Sequence, residues 1–126
     1  MQRVIIDTNI LIDHSKGKSN KLKELFELKK LRKAELYLTP VVIAEFLADD
    51  KLISAKNKQK AISFINLFDI VNITKKIGLK AGDLLRNGNV NHIADALIAS
   101  SCIEGRLGLV TRNEKHFNRV KGISFF

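Results

Sequence analysis

Short, β-branched apolar runs that alternate with stretches of helical periodicity restrict this chain to strands of a mainly parallel sheet joined by helices. Arg3-Val4-Ile5-Ile6 is the first run, almost wholly apolar and therefore suited to a strand buried on both faces. Asp7 ends it, and Asp7 or Thr8 can cap a short helix through about His14, closed by Gly17. From Asn20, Leu22, Leu25, Phe26 and Leu28 recur at helical spacing between lysines and glutamates. Glu35 to Leu38 reads as the second strand, and Thr39-Pro40 as a helix start, with the hydroxyl as cap and proline in the first turn. That helix is expected to reach about Asp50, and a basic amphipathic one to run from Ser54 to about Phe68. Ile70 to Ile73 is the expected third strand, Thr74 the cap of a helix ending near Gly88, and Asn89 or Asn91 the start of a helix to Glu104 that Gly105 terminates. Leu107 to Thr111 is the expected fourth strand, Asn113 to Phe117 a short helix, and Ile123 to Phe125 a last strand. The class is α/β. With 126 residues, one Pro that begins a helix and no repeat or linker, a single domain over residues 1–126 is expected.

Charge narrows the partners. The 22 Lys and Arg outweigh 13 Asp and Glu, giving a net charge of +9. A basic surface of this kind gathers a polyanion by releasing its counterions, although lysines also serve plain solubility. Lys16, Lys18, Lys21, Lys23, Lys29, Lys30, Arg32 and Lys33 cluster after the first strand. No apolar run approaches the roughly 18 residues of a membrane span, and Val4-Ile5-Ile6 is too short for the apolar part of a signal peptide, so a cytoplasmic location is expected. Cys102 is the one cysteine and sits in an apolar stretch as a small buried side chain, and the three histidines have no zinc spacing.

In an open parallel sheet ligands gather beyond the carboxyl ends of the strands, where Asp7 stands after the first strand and Thr111, Arg112 and Asn113 after the fourth. Taken alone, Asp7 is a helix cap. Glu45 lies among seven apolar neighbours between Val41 and Ala48, on a narrow wet stripe or partly buried. Asp95 is one carboxylate among six apolar residues between Ile93 and Ala99, where an ionised group costs several kcal/mol unless paired or metal-bound. A lysine salt bridge would satisfy it. If the three acids converge, two unit charges about 4 Å apart repel by roughly 4 kcal/mol at an effective dielectric near 20, and a divalent cation reverses that sign. Oxygen-only ligands select hard ions, Mg2+ or Mn2+, which commonly handle phosphate esters.

Val4-Ile5-Ile6-Asp7-Thr8-Asn9, Thr39-Pro40-Val41-Val42-Ile43-Ala44-Glu45-Phe46, His92-Ile93-Ala94-Asp95-Ala96-Leu97-Ile98-Ala99 and Leu109-Val110-Thr111-Arg112-Asn113-Glu114-Lys115-His116-Phe117 occur in that order across nearly the whole chain. This set resembles the four motifs of PIN-domain ribonucleases, and most closely those of VapC-type toxins of toxin–antitoxin pairs. The resemblance implies an α/β/α sandwich with a four- to five-stranded sheet and a Mg2+- or Mn2+-dependent endoribonuclease that hydrolyses phosphodiester bonds in RNA. It further implies a small VapB-like antitoxin whose tail enters the active-site groove, a homodimer, and products with 5′-phosphate and 3′-hydroxyl ends. Position by position, Asp7, Glu45 and Asp95 match the metal-binding acids, and Asn9 the polar residue that steadies the site. Asn113 stands where some members carry a fourth acid; its amide can hold a water but adds no charge, which bears on a second metal. A non-catalytic PIN-like RNA-binding module is the alternative. A phosphoacceptor domain using Asp7 fits the α/β pattern but not the basic charge.

The remaining signals have simpler readings. Gly17-Lys18-Ser19 lacks the earlier glycine and the preceding strand of a phosphate-binding loop. Asp13 is expected to face solvent or a lysine, and His14 to lie at the surface. His92 and His116 are expected to orient a polar edge of the core, while Arg112 and Lys115 are candidates for phosphate contacts. The Leu22, Leu25, Phe26 and Phe64, Ile65, Phe68 stripes read as core or subunit interface.

Overall fold

A computed structural model describes residues 1–48 and 55–126. Four strands, β1 (Gln2–Ile6), β2 (Ala34–Leu38), β3 (Asp69–Ile70) and β4 (Gly108–Val110), form one parallel sheet in the order β3-β2-β1-β4. Six helices connect and flank them: α1 (Thr8–Ser15), α2 (Lys21–Lys30), α3 (Pro40–Leu47), α4 (Ala55–Ile65), α5 (Lys75–Arg86) and α6 (Ile93–Gly105). The result is an α/β/α sandwich. The expected helix end at Asp50 and helix start at Ser54 lie outside the described residues.

Burial follows position in the sheet. Val4, Ile5 and Ile6 on β1 and Leu36 and Leu38 on β2 are buried to 1% exposure or less; β1 is covered on both faces and runs apolar from Val4 to Ile6, whereas β2 alternates, with the half-buried Glu35 and Tyr37 between its buried residues. Helix α6 lies against β1 and β4 with α5 packed on it, and α2 lies against β2. Leu22, Leu25, Ile65 and Phe68 are buried, so both sequence stripes serve the core. Local chemistry sets the helix starts: Thr39 accepts from the Val42 N–H at 3.3 Å with Pro40 in the first turn, and Thr74 accepts from the Ile77 N–H at 3.2 Å.

Several boundaries differ from the sequence reading. The third strand is Asp69–Ile70 rather than 70–73, because β2, its one partner among the described residues, stops at Leu38, just where the Val71 N–H reaches the Leu38 carbonyl at 2.9 Å. The fourth strand is Gly108–Val110, and the expected last strand is reduced to a bridge from Phe125 to Leu109. Helix α6 begins at Ile93, since Gly88 and Asn89 are spent closing α5: Gly88 takes a φ of +71°, and the Gly88 and Asn89 N–H groups reach the Leu85 and Leu84 carbonyls at 3.2 and 2.9 Å. At the other end of α6, Arg106 at φ +54°, not Gly105, takes the left-handed conformation.

Leu36 is fully buried in β2, one of the two interior strands of the sheet. Leu36→Ala is expected to lower stability by about 2–5 kcal/mol, read as an earlier urea midpoint with an unchanged m value.

Candidate functional site

The carboxyl ends of β1 and β4 bring together groups more than a hundred residues apart in sequence. Asp7 follows β1 directly, and its N–H still continues the ladder to the Val110 carbonyl at 2.9 Å. Its backbone is extended, so its side chain turns back to cap α1, with Oδ1 accepting from the Thr8 N–H at 2.7 Å. Oδ2 accepts from the Thr111 hydroxyl at 2.8 Å and from the Asn9 Nδ2 at 3.3 Å. Thr111 in turn accepts from the Asn9 side chain at 3.3 Å and from the Asn113 N–H at 3.1 Å. Asp7 is 6% exposed. Helix-cap chemistry and site chemistry therefore fall on one side chain.

The other two acids reach this end from helices. Glu45 is exposed on α3, on the wet stripe rather than in the core, and its Oε1 accepts from the Thr8 hydroxyl at 2.7 Å. Asp95 is half-buried in the first turn of α6, with His116 Nδ1 at 3.6 Å from its Oδ2. Burial pushes the Asp7 carboxyl above its ordinary pKa; the Asp95 charge pushes the same way, while the Thr111 and Thr8 hydrogen bonds and His116 oppose it. Burial likewise raises Asp95, opposed by His116 and His92 and reinforced by Glu45. Behind them the buried Cys102 thiol is pushed up to about 12 by burial and by Asp7, and stays protonated.

Among the described residues no ion pair engages Asp7 or Glu45, and no three His, Cys, Asp or Glu side chains form a ready-made metal cluster. The donor set nevertheless suits a hard divalent cation: oxygen ligands, mutually repelling carboxylates and, in Asp7, a buried anion that makes no ion pair among the described residues.

Other sequence-selected residues fall differently. Asn9 is half-buried and bifunctional: its Nδ2 donates to Asp7 and Thr111, and its Oδ1 accepts from the Arg112 N–H at 3.1 Å. Asp13, expected to face solvent or a lysine, is 8% exposed and meets an arginine: Arg112 Nη1 donates to both its oxygens at 2.7 and 2.9 Å. Arg112 thereby ties the segment after β4 to α1, so one face of its guanidinium is already committed. Asn9 and Asp13 are one turn apart on α1, and that spacing is the signal by which a shared role was readable. The Thr8 link to Glu45 had no such signal, since it joins residues 37 apart. His14 also departs from expectation: it is half-buried and stacked on Phe64 at 5.5 Å, with Nδ1 buried and without a hydrogen-bond partner among the described residues. His92 and His116 are exposed rather than set in a core edge, and Ile93 beside them is 68% exposed. Lys115 lies at the surface in the 3₁₀ turn Glu114–Phe117.

The raised pKa values carry a stability sign. Between the unfolded and the higher folded pKa the native state binds more protons, so stability falls as pH rises through that window and then levels off. Asp7→Asn keeps a capping side chain and removes the charge. In chelator at pH 7 it is expected to melt above wild type by about 2–5 °C, and the difference should vanish below pH ~3.9, the ordinary Asp value. Thermal melts against pH check both.

Residues 4–123 match the family model of the PIN domain. No curated protein sequence matches the chain. Among solved structures, VapBC2 from Rickettsia felis bound to a DNA fragment from their promoter has a TM-score of 0.82 at 23% identity, covering 99% of this chain and 98% of that one. DNA-bound VapBC from Salmonella typhimurium also gives 0.82 at 23% identity, covering 100% and 98%. A toxin–antitoxin complex from Klebsiella pneumoniae gives 0.77 at 25% identity, covering 95% and 94%. With a parallel sheet in the order β3-β2-β1-β4, acids at its carboxyl end and a family match over almost its full length, the chain belongs to the PIN domain family.

Proposed function

We propose that this chain, as one PIN-like domain over residues 1–126, is a Mg2+- or Mn2+-dependent endoribonuclease that acts as the toxin of a toxin–antitoxin pair. The observation that carries the reading is Asp7: a buried carboxylate that, among the described residues, is oriented by three hydrogen bonds and no ion pair, and that shares its end of the sheet with Asp95 in a protein of net charge +9. Family membership supports a nuclease, and the similarity to toxin–antitoxin structures supports the toxin role and a VapB-like antitoxin as partner. Homodimer formation and a cytoplasmic location belong to the same proposal. Among the described residues no helix is long and apolar enough to cross a membrane.

Asp7 and Asp95 would hold the ion, with Glu45 as the third acid. The ion when bound supplies positive charge against the scissile phosphate and the departing 3′-oxygen. The protein's own groups do the positioning. Thr111, Asn9 and the Thr8 N–H fix both oxygens of Asp7, so the carboxylate does not reorganise as charge develops. Thr8 occupies one oxygen of Glu45 and leaves the other to orient an attacking water. The Asn113 carboxamide can orient a second water without adding charge. This hydrolytic route needs no 2′-hydroxyl nucleophile and no histidine base. Lysines on the basic surface draw the strand in through its phosphates.

A second reading, the non-catalytic PIN-like RNA-binding module, is favoured by one observation: among the described residues the acids do not form a closed three-ligand cluster. The two differ in products. Incubated with single-stranded RNA and Mg2+ or Mn2+, the purified protein is expected to release fragments bearing 5′-phosphates, and Asp7→Asn to lower the rate at least about 100-fold with folding intact. RNA retained without metal-dependent fragments would establish the binding module instead. Thr111→Val, which removes a hydrogen bond to Asp7 but no acid, is expected to cost about 10–100-fold in activity or metal affinity. Apparent metal affinity should also decline on acidification from a higher pH than ordinary carboxylates would give, because the raised Asp7 and Asp95 must ionise to bind.

A further inference from the structure

A cavity of about 410 Å³ opens beside the acids, between the turn after α5, the start of α6 and the 3₁₀ turn that follows β4. Asp95 contributes the one carboxylate of its lining. Its other polar groups are the amides of Asn89, Asn91 and Asn118, the cations of Lys115 and Arg119, and the imidazoles of His92 and His116. Neither Lys115 nor Arg119 is in an ion pair among the described residues, and both are exposed. The walls are built rather than incidental. Asn89 Nδ2 donates to the Arg119 carbonyl at 3.0 Å and so clasps the α5–α6 turn to the C-terminal segment, while Val90, 3% exposed, anchors that turn in the core.

We propose that this cavity receives one nucleotide of the RNA strand, next to the scissile phosphate, with its phosphate on Lys115 and Arg119 and its base against Asn89, Asn91 and Asn118. The inference rests on the nuclease reading above and adds a substrate subsite to it. The size suits a nucleotide, since small-molecule sites run from about 300 to 1,000 Å³. The chemistry suits it as well. Lys and Arg at a rim hold phosphate without reading sequence, whereas side-chain amides present donors and acceptors together and can pair with a base edge. The exposed imidazoles of His92 and His116 offer flat faces on which an unstacked base can rest. Because Asp95 lines the cavity and is also close enough to Asp7 and Glu45 to feel or exert their charge, a nucleotide seated here places the neighbouring phosphodiester at the acids.

Binding of a fluorescein-labelled single-stranded hexaribonucleotide, measured in chelator so that no cleavage intervenes, tests the rim. Lys115→Ala and Arg119→Ala are each expected to weaken binding and to reduce the slope of log K against log salt by about 0.7. Wild-type affinity and slope in the Lys115→Ala/Arg119→Ala double variant would overturn the subsite. NMR titration with the four 5′-mononucleotides tests the interior: the side-chain amide signals of Asn89, Asn91 and Asn118 should shift, and differ between bases. Equal shifts with ribose 5-phosphate would overturn base recognition. The two readings fail separately. Loss of RNA affinity in the double variant with no metal-dependent products from wild type would defeat the nuclease reading and leave the subsite; metal-dependent cleavage with unchanged affinity in the double variant would do the reverse.

Discussion

The carboxylate of Asp7, held at the end of the central strand by one backbone N–H and two side chains, is the interaction on which the site depends. It caps α1, joins β1 to the segment after β4 through Thr111, and places a buried negative charge where a parallel sheet exposes its ligand-binding edge. Each role constrains the others. The hydrogen bonds that fix the side chain offset part of the cost of burying it, yet burial still dominates and keeps the carboxyl above its ordinary pKa. A group kept in that condition stabilises the fold less than a neutral amide would, and such residues concentrate where proteins do chemistry.

Around this anchor charge is unevenly spread. Asp7, Glu45 and Asp95 lie toward the carboxyl end of the sheet, while lysines outnumber the two glutamates of α2 and recur along α4. Arg112, which directly follows the site's Thr111, has its guanidinium drawn onto Asp13. That pair, with the Asn9 contact to the Arg112 backbone, makes α1 a clamp on the loop that carries Thr111 and Asn113. A single polar stripe of a short helix thus positions two motifs that lie a hundred residues apart. The side chain of Arg112 has a structural task before any substrate arrives.

Much of this was legible before the coordinates. The alternation of β-branched runs and amphipathic stretches gives a parallel α/β sheet, and Thr39-Pro40, Thr74 and Asp7 announce their helices because capping is chemistry between residues no more than three apart. What stayed hidden depends on partners distant in sequence. The third strand is cut to two residues by where β2 ends, and α6 starts late because Asn89 is recruited to close α5. The burial of Asp13 follows from Arg112, 99 residues away, and its residue type alone favours a solvent-facing reading. The apolar stretch around Asp95 does mark a carboxylate near the core, but its half-buried setting beside His116 needed the fold.

The central claim is that these acids act together on a cation, and calorimetric titration of Mg2+ or Mn2+ into wild type and Asp95→Ala addresses it most directly. Saturable binding to wild type that is abolished or at least about 10-fold weaker in the variant is the result the account predicts. Equal binding to both proteins, or none to either, would contradict it.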